Sequence, residues 1–223
     1  MNIKLFFQAI IKFILGILIT GILLFVPANT INYWNGWLLM VLLFVPMFIV
    51  GIIMMIKSPE LLRKRLNVKE KENKQKQVVL LSGLMFLIGF VIAGLNYRYV
   101  WTTIPNYIVT ISSVIFIIAY IIYAEVLREN AYLSRTVEVE ENQKVIDTKM
   151  YGIVRHPMYA ATVLMFLSMP LILGSIISFV IFLVYPFIIN KRIENEEEML
   201  EKELVGYSDY KKKVKYKMIP FIW

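Results

Sequence analysis

RHPMYAATVLMFLSMPLILGSIISFVIFLVYPFIINKR, Arg155 to Arg192, is the stretch on which the fold turns. Two apolar runs, Met158–Leu173 and Ile176–Ile189, are split by Gly174 and Ser175 and bounded by cations at both ends. Apolar runs of this length around a two-residue break predict a helical hairpin. Pro157 is tolerated in the first turn of a helix, so His156 or Pro157 is expected to start the first arm. The second arm is expected to continue into the charged segment that begins at Asn190.

Working outward, four longer apolar runs precede the hairpin: Leu5–Val26, Trp37–Ile56, Val78–Leu95 and Tyr107–Leu127. Each is about long enough to cross a hydrocarbon core of roughly 30 Å at about 1.5 Å per residue. The whole chain of 223 residues is 59% hydrophobic and 18% charged, with a mean hydropathy of +0.67, which excludes an ordinary soluble domain. The fold expected is therefore all-α: a polytopic integral membrane protein of about six membrane helices, including a C-terminal hairpin, followed by a charged helix. The first run lacks a small-residue cleavage site and reads as a retained span rather than a secretory signal.

The formal net charge of +8 is unevenly placed. Cations crowd the loop KSPELLRKRLNVKEKENKQKQ (Lys57–Gln77), the loop Arg128–Arg155 and the tail KKKVKYK (Lys211–Lys217). The loops PANTINYWN and NYRYVWTTIP hold one arginine between them, Arg98. The positive-inside rule then puts the basic loops and both termini in the cytoplasm. A basic tail beside a membrane reads as a topology determinant touching anionic lipid, not as a nucleic-acid site. Trp34, Trp37, Tyr99 and Trp101 fall at expected helix ends, as an aromatic belt would.

The chain has no cysteine and one histidine, which excludes disulfides, thiolate zinc sites, iron–sulfur clusters and multi-histidine metal centres. No metal site is expected. Residues 1–127 read as a four-span scaffold, whereas 128–223 carry nearly all the unusual polar residues within what is one membrane domain overall.

Two constellations stand out in the second part. In YGIVRHPMY (151–159), Gly152 permits close backbone approach, Tyr151 and Tyr159 offer flat faces and hydroxyls, and the start of the helix favours anionic groups. Aromatic faces near a cation also suit a sulfonium. On these residues alone, an arginine at a membrane boundary also serves as a snorkelling anchor. In NKRIENEEEMLEKELVGYSDYKKKV (190–214), Arg192 and Glu196 stand four apart on one helical face, where they can pair or flank one ligand. The same charge pattern also suits a solvated helix leaving the membrane.

Taken together and in this order, YGIVRHPMY, an apolar hairpin and RIENEEEML…GYSDYKKKV…IP resemble the isoprenylcysteine carboxyl methyltransferase family. NYWNGWLLM and SPELLRKRL are also similar to its prokaryotic branch. The resemblance implies an S-adenosylmethionine-dependent methyltransferase of a prokaryotic cell membrane, with its site facing the cytoplasm and a lipophilic or lipid-modified acceptor. It implies that the cofactor is held by Glu140 (or Glu138), by Gln143, Lys144, Val145 and Ile146, by Tyr151, and by His156, Pro157, Met158 and Tyr159. It also implies that Arg192 and Glu196 serve the acceptor and that Glu197 completes a paired-glutamate motif on the cofactor side. Ala160 and Ala161 stand where the family often carries glycine.

A sulfonium methyl is already activated, so the enzyme's task is alignment of donor and acceptor. Carboxylate, amine and thiol acceptors all remain compatible with these residues, which leaves phospholipid N-methylation and small-thiol S-methylation as alternatives. An NADPH-dependent membrane reductase and a non-enzymatic scaffold are the other classes, although no Gly-rich phosphate loop is present.

Overall fold

A computed structural model describes residues 3–67, 73–134, 136, 139 and 142–223. The described elements are α1 (Ile3–Ala28), α2 (Trp34–Lys57), α3 (Pro59–Leu66), α4 (Asn73–Tyr99), α5 (Asn106–Glu129), a 3₁₀ turn (Lys149–Gly152), α6 (Pro157–Ile172), α7 (Ile176–Phe182), α8 (Tyr185–Glu203) and α9 (Tyr207–Lys213). No strand occurs among the described residues. Among the described residues, five segments are long and apolar enough to span a membrane: α1, α2, α4, α5 and α7–α8 taken together. The protein is a polytopic all-α membrane protein. Its outward faces are paved with exposed Ile, Leu, Val and Phe, as lipid requires. Trp34, Trp37, Tyr99 and Trp101 lie exposed at one end of the bundle, where the aromatic belt was expected.

The hairpin forms, with His156 capping α6 and Pro157 in its first turn. Its second arm departs from the expected continuous run: the helix breaks at Leu183 and Val184 and restarts at Tyr185. Pro186 is the cause, since it has no N–H for the Phe182 carbonyl and its ring crowds that carbonyl. From Tyr185, α8 runs unbroken through the apolar stretch into the charged segment and ends at Glu203.

With 16 residues, α6 rises only about 24 Å, short of a full span. Its terminal carbonyls would be stranded in an apolar medium unless other chains reach them. The start of α2, with the residue before it, and the last turns of α4 do so. The Tyr33 hydroxyl donates to the Leu173 carbonyl at 2.6 Å, and the Asn35 amide to that of Ile172 at 2.7 Å. The Asn96 amide reaches the Gly174 carbonyl at 3.3 Å. Gly174 turns the chain at φ +78°, a conformation that suits glycine. The hairpin tip is thus roofed by polar side chains from the N-terminal half.

At the opposite end of the bundle lie α3, the described residues of 130–156, α9 and the C-terminal tail. Leu61 and Leu62 of α3 are buried with Leu5, Met54 and Leu127. The α1 residue Lys12 donates to the Leu66 carbonyl, closing this end. Met218 folds back from the tail into the main core, which also holds Tyr159, Tyr185, Ile189 and Ile193.

Close helix approach depends on two glycines of α4. A Cβ on Gly94 would lie 2.5 Å from the Leu24 carbonyl oxygen of α1, and one on Gly89 would lie 2.3 Å from the fully buried Phe182 ring. Small residues of this kind let membrane helices pack backbone to backbone. Gly94→Ala should therefore lower the thermal midpoint in detergent, through a cost of about 1–3 kcal/mol for overpacking. Gly83→Ala, whose Cβ meets nothing within 4 Å, should leave the midpoint unchanged. Equal midpoints for the two variants would mean that the α1–α4 contact is not a tight one.

Candidate active site

The start of α6, the charged half of α8 and the tail meet around one buried carboxylate. Arg155 donates from Nε to Glu197 Oε1 at 2.7 Å, and from Nη1 to the carbonyls of Val214 and Lys215 at 2.8 and 2.7 Å. His156 Nε2 lies 3.0 Å from the same Glu197 oxygen, and Lys211 Nζ lies 3.2 Å from Oε2. Lys211 also pairs with Glu201 at 2.9 Å. Arg155, His156 and Glu197 are only 4–6% exposed, a charge cluster that would be costly without these pairings. The backbone repeats the connection: the N–H groups of Arg155 and His156 donate to the carbonyls of Tyr216 and Lys217 at 2.9 and 2.8 Å.

Above this cluster the His156 and Tyr159 rings lie nearly parallel, with centroids 5.6 Å apart. The Tyr159 hydroxyl accepts from Arg192 Nε at 2.9 Å and donates to Glu196 Oε2 at 2.5 Å. The Arg192–Glu196 pair, expected to interact directly or flank a ligand, is thus bridged by the hydroxyl of a different helix. One turn further into α6, Tyr185 donates to the Thr162 hydroxyl at 3.2 Å and ties α8 to α6 again.

These residues border an open cleft of about 850 Å³, the open solvent at its mouth included. Gln143, Lys144, Val145, Ile146, Tyr151, His156, Met158, Tyr159, Arg192 and Glu196 all line it. Two of the expected residues do not: Pro157 lies buried as the first residue of α6, and Glu197 faces the ion cluster beneath. A cofactor contact for Glu197 is not what its placement offers, because both carboxylate oxygens are engaged by Arg155, His156 and Lys211. Glu140 and Glu138 lie outside the described residues.

The cleft has further walls that sequence reasoning missed. Asn130, Ser134 and Thr136 come from the segment after α5, Leu204 from the turn after α8, and Tyr207 and Tyr210 from α9. That turn is made by Gly206 at φ +87°, packed near Val145. Asn130 Nδ2 donates to the Tyr151 hydroxyl at 3.1 Å, and the Tyr210 hydroxyl donates to the Tyr151 carbonyl at 2.8 Å. Burial pushes the Tyr151, Tyr207 and Tyr210 hydroxyls up from their ordinary range, so all three stay protonated at neutral pH. The Tyr207 hydroxyl is buried with no hydrogen-bond partner among the described residues. A neutral, orphaned hydroxyl in a cleft wall marks a place for a polar ligand atom. The GYSDY spacing was the available signal: a glycine turn followed by tyrosines at i and i+3.

Glu197→Gln removes the charge that Arg155 and Lys211 share and that His156 contacts, and should cost on the order of 3 kcal/mol, the scale for breaking a buried pair. Thermal unfolding should show this as a lowered midpoint, with faster amide exchange at residues 155–156 and 214–217. An unchanged midpoint would mean that water, not Glu197, compensates Arg155.

Residues 112–202 match the model of the Isoprenylcysteine carboxyl methyltransferase (ICMT) family. No curated protein matches the chain. The matched segment begins in α5, takes in the 3₁₀ turn and the hairpin, and ends in the last turn of α8, so it contains the Arg155–Glu197 cluster and the Arg192–Tyr159–Glu196 bridge. The matched segment is similar to a family of methyltransferases and is carried on a membrane-helical frame.

Proposed function

We propose that the protein transfers a methyl group from S-adenosylmethionine to a lipophilic acceptor that reaches the cleft from the bilayer, with the cleft on the cytoplasmic side. The observation that carries this reading is the Tyr159 hydroxyl held between Arg192 and Glu196 on the wall of a cleft that also contains the orphaned Tyr207 hydroxyl. The cations at Lys57–Gln77, Arg128–Arg155 and Lys211–Lys217 support the cytoplasmic orientation.

The cleft's chemistry suits the cofactor. Val145, Ile146, Leu200 and Leu204 give apolar walls for a flat base, while Asn130, Gln143 and Tyr207 supply polar groups for a ribose or amino-acid part. Gln143–Ile146, Tyr151 and the His156–Tyr159 turn are the residues we assign to holding it. When bound, the cofactor supplies an electrophilic methyl on a sulfonium, so no acid or base is needed to activate the donor.

The acceptor falls to Arg192, Glu196 and Tyr159. An acceptor carboxylate, the chemistry that the family name carries, is already a nucleophile and needs only orientation, which a guanidinium provides. Tyr159 holds Arg192 by its Nε edge, and Glu196 draws the Tyr159 proton away from that edge, leaving the hydroxyl oxygen to accept. This arrangement fixes the guanidinium plane relative to the cleft. An amine acceptor would require a base, with Glu196 the nearest carboxylate to the bridge.

The test is calorimetric titration of the detergent-purified protein with S-adenosylmethionine, S-adenosylhomocysteine and NADPH, followed by labelled methyl transfer to a prenylated cysteine with a free carboxylate and to a lipid extract. Binding of the adenosyl ligands and label in a base-labile ester support the reading. Label in an amine or thioether would move the acceptor, and NADPH binding without adenosyl binding would overturn the reading.

Arg192→Ala should leave S-adenosylhomocysteine affinity within about threefold while lowering turnover by roughly a hundredfold or more, the pattern of an orienting group. His156→Ala should weaken the adenosyl ligand itself. Tyr159→Phe keeps the ring and removes the bridge, so it should lower kcat with a smaller effect on cofactor affinity. Wild-type kcat in Tyr159→Phe would remove the bridge from the mechanism.

A further inference from the structure

SPELLRKRL, noted in the sequence and unused by the site as described, forms α3 and the end of its preceding turn. Pro59 starts the helix, and Leu61 and Leu62 bury its inner face against α1, α2 and α5. Arg65 follows Leu61 and Leu62 at helical spacing and so shares that inner face. It is half-buried rather than solvated.

Its guanidinium reaches three separate elements. Nη2 donates to the Tyr123 hydroxyl of α5, and the guanidinium carbon lies 5.6 Å from the centre of that ring. Nη1 donates to the Ser134 carbonyl at 3.1 Å and lies 3.7 Å from the Met158 sulfur. Next to it, Lys64 Nζ reaches the Ala131 carbonyl at 3.4 Å. These partners are neutral, so the charge is placed for the geometry of its donors and not for an ion pair. A planar fork with five donors can join three elements in this way, whereas an ammonium presents one point.

Two of those partners, Ser134 and Met158, line the cofactor cleft, and Arg65 stands directly behind them. The described wall residues, 130–134 and 136, have no regular secondary structure. Within it, the Tyr132 N–H donates to Asn130 Oδ1 at 3.0 Å, and the Ser134 and Thr136 hydroxyls lie 2.9 Å apart. Local bonds of this kind shape a loop without fixing where it lies. Asn130 ties the start of the wall to Tyr151, and Lys64 and Arg65 hold it at Ala131 and Ser134 from a helix outside the segment that matches the family model.

We propose that Arg65 is a positioning residue for the cofactor cleft: it holds the 130–136 wall and Met158 in register with the His156–Tyr159 turn, so that the N-terminal half of the chain helps to build the site. The ligand part of this proposal rests on the cofactor reading above; the brace itself does not.

The experiment compares the full-length wild type with Arg65→Met, Arg65→Lys and Tyr123→Phe in detergent. Hydrogen exchange over residues 130–136 reads the wall, and S-adenosylhomocysteine titration with the kcat and KM for S-adenosylmethionine reads the cleft. Arg65→Met should speed exchange in 130–136, and raise the S-adenosylhomocysteine Kd and the cofactor KM by about tenfold, with kcat at saturating cofactor within about threefold. Arg65→Lys should recover part of both losses. Tyr123→Phe should move both in the same direction by less, and Arg65→Met added to it should cost less than in the wild-type background.

A folded Arg65→Met with wild-type exchange in this segment and wild-type affinity would overturn the proposal. If Arg65→Met does not fold, Arg65→Lys and Tyr123→Phe must show the same pattern at smaller size, and wild-type behaviour in both would overturn it equally. If the wild type binds no adenosyl ligand, the cofactor reading fails, and the exchange measurement decides the brace by itself.

Discussion

A carboxylate buried where the bundle meets its loops organises the site. Glu197 is 4% exposed and is reached by Arg155, His156 and Lys211, from the residues before α6 and from α9. Removing an ion from water is expensive, and it is tolerated only where opposite charges and donors converge on both oxygens. That requirement fixes three pieces of chain at once: the charged half of α8, the entry to α6 and the tail whose carbonyls Arg155 also holds. With these pieces fixed, the next residue along α8, Glu196, turns away from the cluster and toward the cleft, where Tyr159 meets it.

Two neighbouring glutamates thereby do different work. Helical geometry separates adjacent side chains by about 100°, so one can be buried in an ion cluster while the other lines an open cleft. The short hairpin sets the depth at which this happens. Because α6 is too short to span, its tip needs Tyr33, Asn35 and Asn96 as a polar roof, and its start brings Tyr159 to the level where α8 becomes charged. The N-terminal helices are accordingly more than packing. They satisfy the hairpin tip at one end, and through α3 they brace the cleft wall at the other.

The membrane class, the positions of the long helices, the start of α6 and the motifs around His156 and Arg192 were all legible in the chain, because they depend on local hydropathy, charge and proline stereochemistry. The break at Leu183 and Val184 was also encoded, in Pro186, but an uninterrupted apolar run concealed it. Glu197 was expected on the cofactor side as the second residue of a paired-glutamate motif, and it lies buried beside Arg155, outside the cleft lining. The polar residues of the roof and the tyrosines after Gly206 had no visible role, since their partners lie up to 140 residues away.

The sequence alone determined what each segment must do in a bilayer: which stretches cross, where helices start and stop, and which polar residues stand out from an apolar chain. Those outcomes follow from interactions between residues a few positions apart and from the solvent. Only the tertiary structure decided the pairings that make the site: Tyr159 between Arg192 and Glu196, Glu197 beneath His156, Arg65 behind Ser134 and Met158. Each joins residues 33 to 93 positions apart, and contacts of that range are set by how helices pack, which no local pattern records.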